Sequence, residues 1–159
     1  MKHEKNLNLE ARLSKLEDIE LIRRLKYNYA WFLDQKMWKE YKNILADGMI
    51  YTGHGREFLK DEFVNFVSKG LENLVTSHQL HQSLIDITSA KTARAVWCLR
   101  DDISNPEKGT KFKGRAYYTE NYVKIENEWK IMKIALRYLC TEGSAVVLGS
   151  DTGLRSLVI

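Results

Sequence analysis

The chain has 159 residues, 44% hydrophobic and 29% charged, a length that predicts one domain able to bury a core without disulfide or metal staples. Its longest unbroken apolar runs, Tyr29 to Leu33 and Ala95 to Leu99, are five residues each; a bilayer span needs about 20, and the charged start from Met1 to Asn6 is unlike a secretory leader, so no membrane partner and a cytoplasmic location are expected. The net charge is +4, but basic and acidic residues alternate along most of the chain, and the densest basic stretch (Lys108, Lys111, Lys113 and Arg115) reads as a solvated face, so no nucleic-acid partner is expected.

From about Leu7 to Gln35, apolar residues recur in steps of three and four (Leu9, Leu13, Leu16, Ile19, Ile22, Leu25, Tyr29, Phe32/Leu33), which predicts a long helix. Trp38, Tyr41 and Ile44/Leu45 continue the spacing in a second helix that ends at Asp47-Gly48. Met49-Ile50-Tyr51 reads as a short strand and Thr52-Gly53-His54-Gly55 as a turn. A third helix is predicted from Asp61 to Leu74, with Phe63, Phe66, Val67, Leu71 and Leu74 on one side. Beyond it the period changes. Residues 77–88, 93–103, 111–125 and 129–138 are rich in β-branched and aromatic residues, and Ser89-Ala90-Lys91 and Glu126-Asn127-Glu128 have hairpin length. The only proline, Pro106, falls in a connection, where it removes no ladder hydrogen bond. Three helices followed by an antiparallel meander make an α+β domain, expected over residues 1–140. Residues 141–159 are expected to form an apolar tail that covers a pocket mouth or meets another subunit.

Signatures of nucleotide binding, of nucleophilic-serine hydrolases and of zinc proteases are absent from the sequence. Cys98 and Cys140 form no metal-ligand spacing and read as buried free thiols; no metal and no cofactor is expected. What remains is an acid–base set. His78 and His81 are three apart, so on a strand they face opposite sides. The His81 face continues into Ser83, Ile85 and Ile87, the more apolar of the two, which makes His81 the candidate for the inner side. The same alternation places Asp101 at the end of the face Ala93, Ala95, Trp97 and Leu99. Asp34 follows five apolar or aromatic residues; it reads either as a solvated helix-end carboxylate or as a functional acid. Trp31, Tyr51, Trp97 and Tyr118 are candidates either for a pocket lining or for plain core.

Three stretches together resemble the SnoaL-like group of the nuclear transport factor 2-like superfamily. They are Ile19 to Asp34 followed by Trp38; His78-Gln79-Leu80-His81 leading into Ile85-Asp86-Ile87; and Gly114 to Tyr122 with Glu128-Trp129-Lys130-Ile131 and Leu136-Arg137. The similarity spans about residues 15–139. It implies a cone: a strongly curved antiparallel sheet, as in the cystatin-like α+β barrels, wrapped around the long N-terminal helix and one deep pocket. The members most resembled are the bile-acid 7α-dehydratases, with scytalone dehydratases more distant. Carried over residue by residue, that resemblance implies catalytic roles for Tyr29, Asp34, His81, Asp101 and Arg137: His81 as base, Asp34 orienting it, Tyr29 donating a hydrogen bond, Asp101 and Arg137 positioning. It further implies a cofactor-independent lyase, a dehydratase above all, or an isomerase. The substrate would be a hydrophobic carbonyl-bearing small molecule such as a steroid or polyketide. A homo-oligomer is also implied, a trimer before a dimer. The other readings are a non-catalytic module of the same fold, binding a small ligand or a protein, and an accessory subunit of a ring-hydroxylating dioxygenase.

Overall fold

A computed structural model describes residues 9–143. The first helix, α1, runs from Leu9 to Asp34, in agreement with the three-and-four spacing. No glycine or proline interrupts it, and its stop is made by the backbone: Lys36 takes a left-handed φ of 58°, Met37 N–H donates to Phe32 C=O at 2.8 Å and Lys36 N–H to Leu33 C=O at 3.3 Å. This is a Schellman ending, and it leaves Asp34 as the last helical residue. Helix α2 (Trp38–Asn43) follows at once.

Strand β1 (Leu45–Gly53) begins earlier than expected and runs through Asp47-Gly48. A two-residue turn joins it to a short strand that the sequence does not announce, β2 (Arg56–Leu59). Helix α3 (Lys60–Leu71) then carries the chain from one edge of the sheet to the other. The meander follows as β3 (Val75–Ser89), β4 (Thr92–Asn105), β5 (Thr110–Ile125) and β6 (Glu128–Gly143). The strand order is β2-β1-β6-β5-β4-β3, one curved, unclosed sheet. The α+β architecture with a long helix against a curved sheet is as expected, with one difference. Strand β1 pairs with β6 in parallel, so the sheet is mixed. Alternation reports which face of a strand is buried, not which strand lies beside it. The tail expected beyond residue 140 continues β6 through Gly143; the rest of that expectation lies outside the described residues.

The core fills the space between the concave sheet and the helices. Ile22, Leu25, Tyr29 and Leu33 of α1 meet Trp97 and Leu99 of β4, Tyr118 and Tyr122 of β5, and Ile131 and Ile134 of β6. The first half of α1 departs from expectation. Leu9, Leu13 and Leu16 share a helical stripe but are more than half exposed; the first buried residue of the helix is Asp18. Asp18 is clamped there by Trp129 Nε1 at 2.8 Å and Lys124 Nζ at 2.6 Å. No helix among the described residues is long and apolar enough to cross a membrane. Cys98 and Cys140 are both unpaired. Cys98 is half-buried, and Cys140 is exposed, contrary to the expected buried thiol, because it pairs with outward-facing Arg115.

The β5–β6 connection carries a stability prediction. Glu126 and Asn127 both have left-handed φ, 48° and 67°, the geometry of a tight hairpin turn that favours Asn and Gly. Glutamate is the poorer fit at the first position. Glu126→Asn is expected to raise stability by about 0.5–1 kcal/mol, measured as a higher urea midpoint at unchanged slope.

Candidate active site

Strand alternation sets the inner row of residues at one end of the sheet. His78 of β3 pairs with Asp101 of β4, Asp101 with Gly114 of β5, and Gly114 with Thr141 of β6. Asp34, at the end of α1, reaches this row from the helix side. His78 Nδ1–H donates to Asp34 Oδ1 at 2.6 Å, and the His78 backbone N–H donates to Asp34 Oδ2 at 2.9 Å. Thr76 Oγ1 donates to Asp34 Oδ1 at 2.8 Å and accepts from Lys36 Nζ at 2.9 Å. The left-handed residue that ends α1 thus also braces the site. Burial pushes the Asp34 carboxyl up. The hydrogen bonds and charge of His78, with the Thr76 hydroxyl, more than offset this and hold it below the usual carboxylate range. An ionised Asp34 fixes the imidazole tautomer with the proton on Nδ1 and leaves Nε2 as the free acceptor.

Asp101 faces the same imidazole from the neighbouring strand. Only 1% of it is exposed. Its Oδ2 accepts from Tyr138 Oη at 2.5 Å, while Oδ1 has no partner among the described residues. Burial raises the Asp101 carboxyl above its ordinary range, against the lowering effect of the Tyr138 hydrogen bond and the nearby His78. Burial and the adjacent Asp101 push the Tyr138 phenol up, so it stays protonated as a donor. Gly114 makes room for the pair: a Cβ there would overlap both Asp101 Oδ1 and the Tyr138 ring. Gly114→Ala is expected to cost about 1–3 kcal/mol of stability, measured by urea unfolding, and to break the Asp101–Tyr138 bond.

Not every expected residue gathers here. His81 is exposed and has no bond to Asp34; His78 takes its place. The reason is a β-bulge. Leu80 pairs with Leu99 but Ser83 with Trp97, so one extra residue enters β3 between them and inverts the alternation. His78 and Leu80 therefore share the inner face with Ser83, Ile85 and Ile87, while His81 points outward. Arg137 is exposed on the outer face opposite Tyr117. The two bulges in β6 lie at Met132, ahead of Ile134, and at Leu139, past Tyr138, so between them Ile134, Leu136 and Tyr138 stay inward and Arg137 outward. Trp31 is 59% exposed, since two residues turn an α-helix by about 200° from buried Tyr29.

Tyr29 is buried at 3% exposure but sits in the core rather than beside the dyad. Its ring packs against Tyr41 at 4.9 Å and Tyr118 at 5.9 Å between centroids, and burial pushes its phenol up. Tyr51, Trp97 and Tyr118 all face inward and are buried. Three polar groups, one beside the site and two deeper in the core, escaped the sequence reading. Tyr138 was legible from its alternation with Ile134 and Leu136, and Glu120 from its place between Tyr118 and Tyr122. Lys26 lies four residues from Ile22 on the buried side of α1. Lys26 and Glu120 form an ion pair at 2.5 Å with both side chains fully buried. Among the described residues no three His, Cys, Asp or Glu side chains gather as a metal ion would need.

A match to the SnoaL-like domain family covers residues 14–135. Three solved structures share the fold. A protein from Novosphingobium aromaticivorans named as a candidate scytalone dehydratase superposes with a TM-score of 0.79 at 18% identity, over 90% of this chain and 98% of that one. A type 2 hexachlorocyclohexane dehydrochlorinase does so with a TM-score of 0.76 at 16% identity, over 90% and 99%. An uncharacterised protein with a cystatin-like fold from Caulobacter vibrioides has a TM-score of 0.68 at 15% identity, over 78% and 91%. At these identities the structures share the fold with this chain and speak to nothing finer. The family match spans most of the chain, the long helix and curved sheet agree with it, and the chain belongs to the SnoaL-like domain family.

Proposed function

We propose that the concave face is the active site of a cofactor-independent lyase, or of an isomerase sharing its first step. The observation that carries this reading is the 2.6 Å bond from His78 Nδ1 to Asp34 Oδ1. It leaves Nε2 as a base that is neither hydrogen-bonded nor sealed away among the described residues. In the proposed reaction Nε2 takes a proton from the carbon next to a substrate carbonyl. The C–H electron pair moves toward the carbonyl. It then expels a leaving group from the neighbouring carbon, or returns to a different carbon with the proton. The imidazolium formed on His78 lies between the carboxyls of Asp34 and Asp101, which stabilise it. Tyr138 holds Asp101 in place. An apolar body of the substrate suits the aromatic lining of Tyr51, Tyr118 and Tyr138. A candidate dehydratase and a dehydrochlorinase among proteins of like fold support elimination over other uses of the dyad.

The test is proton exchange in heavy water, followed by mass spectrometry, with hydroxylated oxo-steroids, bile-acid thioesters and hydroxynaphthalenones. Wild-type protein is expected to incorporate deuterium next to the carbonyl of at least one of these, or to release one water from it, and His78→Ala to do neither. Exchange that persists unchanged in His78→Ala would overturn the reading.

A further inference from the structure

The hairpin turn between β1 and β2 carries a histidine that the dyad does not use. His54 and Gly55 both have left-handed φ, 53° and 69°, between the paired residues Gly53 and Arg56. That is a two-residue type I′ turn, for which Asn-Gly is the strongest local choice. Asparagine would satisfy the backbone better than histidine, and a residue at the tip of such a turn ordinarily points to solvent. The imidazole instead folds back over the inner face. It stacks on Tyr51 at 6.2 Å and 22°, and lies 5.9 Å from Tyr138 and 6.3 Å from Phe66 between ring centroids. It is half-buried, and neither ring nitrogen has a hydrogen-bond partner or is sealed from access among the described residues. A polar ring held in an aromatic setting, with both nitrogens free, at a position where turn chemistry favours another residue, calls for a ligand.

The strand order places that ligand. His78 is on edge strand β3 and His54 at the opposite edge, with Asp101, Gly114 and Tyr138 of β4, β5 and β6 between them. Tyr138 touches both ends, through Asp101 toward His78 and through its ring toward His54. We propose that His54 is a second substrate-contacting residue, and that the site takes a flat apolar molecule with an oxygen at each end, one at His78 and one hydrogen-bonded by His54. This deepens the proposed function and rests on its reading of the concave face as a ligand site. A ring ketone with a remote hydroxyl is the simplest member of that class.

The test compares 2-naphthol, with one oxygen, and 2,6-dihydroxynaphthalene, with one at each end, titrated by fluorescence into wild type, His54→Gly, His54→Asn and His78→Ala. Both His54 replacements suit the left-handed turn, so their thermal midpoints are expected to equal or exceed that of wild type. The diol is expected to bind wild type about tenfold more tightly than the mono-ol, the worth of one well-made hydrogen bond. His54→Gly is expected to erase that advantage while leaving the mono-ol affinity unchanged, and His54→Asn to keep part of it. Equal affinities in wild type, an advantage that survives His54→Gly, or no binding of either naphthol to wild type would each overturn the proposal. If His78→Ala alters neither affinity while His54→Gly still erases the advantage, the dyad reading fails and the His54 contact stands.

Discussion

Alanine at position 78 is expected to slow α-proton exchange by about 10²–10⁴, the usual worth of a positioned general base, while alanine at position 81 leaves the rate within twofold. The two histidines are three residues apart on one strand, so the pair of variants isolates geometry from composition. His78 makes two hydrogen bonds to Asp34, one from the ring and one from the backbone; His81 makes none and is exposed. Asp34→Asn tests the same arrangement from the other side. An amide can accept from Nδ1–H with its oxygen, or present its NH2 and invert the imidazole tautomer. It carries no charge to stabilise the imidazolium in either case. Its expected loss lies close to that of His78→Ala, and the double variant is expected to lose little more than either alone, because the two residues act as a unit. Exchange rates of the four proteins on one substrate decide the matter: additive losses would mean that Asp34 and His78 act separately.

The largest expected effect on stability lies deeper, at Lys26 and Glu120. Lys26 Nζ is 2.5 Å from Glu120 Oε1, and neither side chain is exposed. The ammonium lies over the rings of Tyr29, 3.8 Å from the centroid, and Tyr118, 3.6 Å. Glu120 also accepts from the Tyr122 hydroxyl, which in turn accepts from Trp97 Nε1 at 2.9 Å. Burial draws the Lys26 ammonium below its usual range, against the opposing pull of the Glu120 charge and hydrogen bond. A pair so placed contributes little net stability, since desolvation offsets attraction, yet breaking it is costly. Lys26→Met is therefore expected to destabilise the fold by about 3–5 kcal/mol, because it strands a carboxylate in the core. Glu120→Leu in the same background is expected to recover most of that loss. Urea unfolding of the single and double variants at neutral pH measures the coupling. A single-variant cost below about 1 kcal/mol, or no recovery in the double variant, would overturn this account of the pair.

How much of this was legible in the chain depends on the kind of information each feature needs. The helix of α1 and the strands of the meander are encoded locally, as a period of three to four or of two in apolar residues, so their extents agree with the structure to within a few residues. The inward run Ala93, Ala95, Trp97, Leu99, Asp101 was equally legible, because β4 carries no bulge against β5, and it delivered Asp101 to the site. The same rule misdirected the choice of histidine. Simple alternation back from Ile87 and Ile85 selects His81, and one extra residue between Leu80 and Ser83 inverts it. A bulge leaves no period-two signature, since it is set by the partner strand and the curvature of the sheet.

By itself, then, the sequence determined that the chain builds an α+β fold, that an acid sits at the end of the long helix, and that histidines and a second acid lie on the strands of the meander. Those follow from burial of apolar residues at regular spacing, a local property. Only the tertiary structure decided which histidine meets Asp34, that Tyr138 serves Asp101, that β1 lies parallel to β6, and that Lys26 and Glu120 meet 94 residues apart in the core. Each of those depends on strand register or on contacts between distant segments, where the energy of pairing two side chains is shared by elements that no single window of sequence contains.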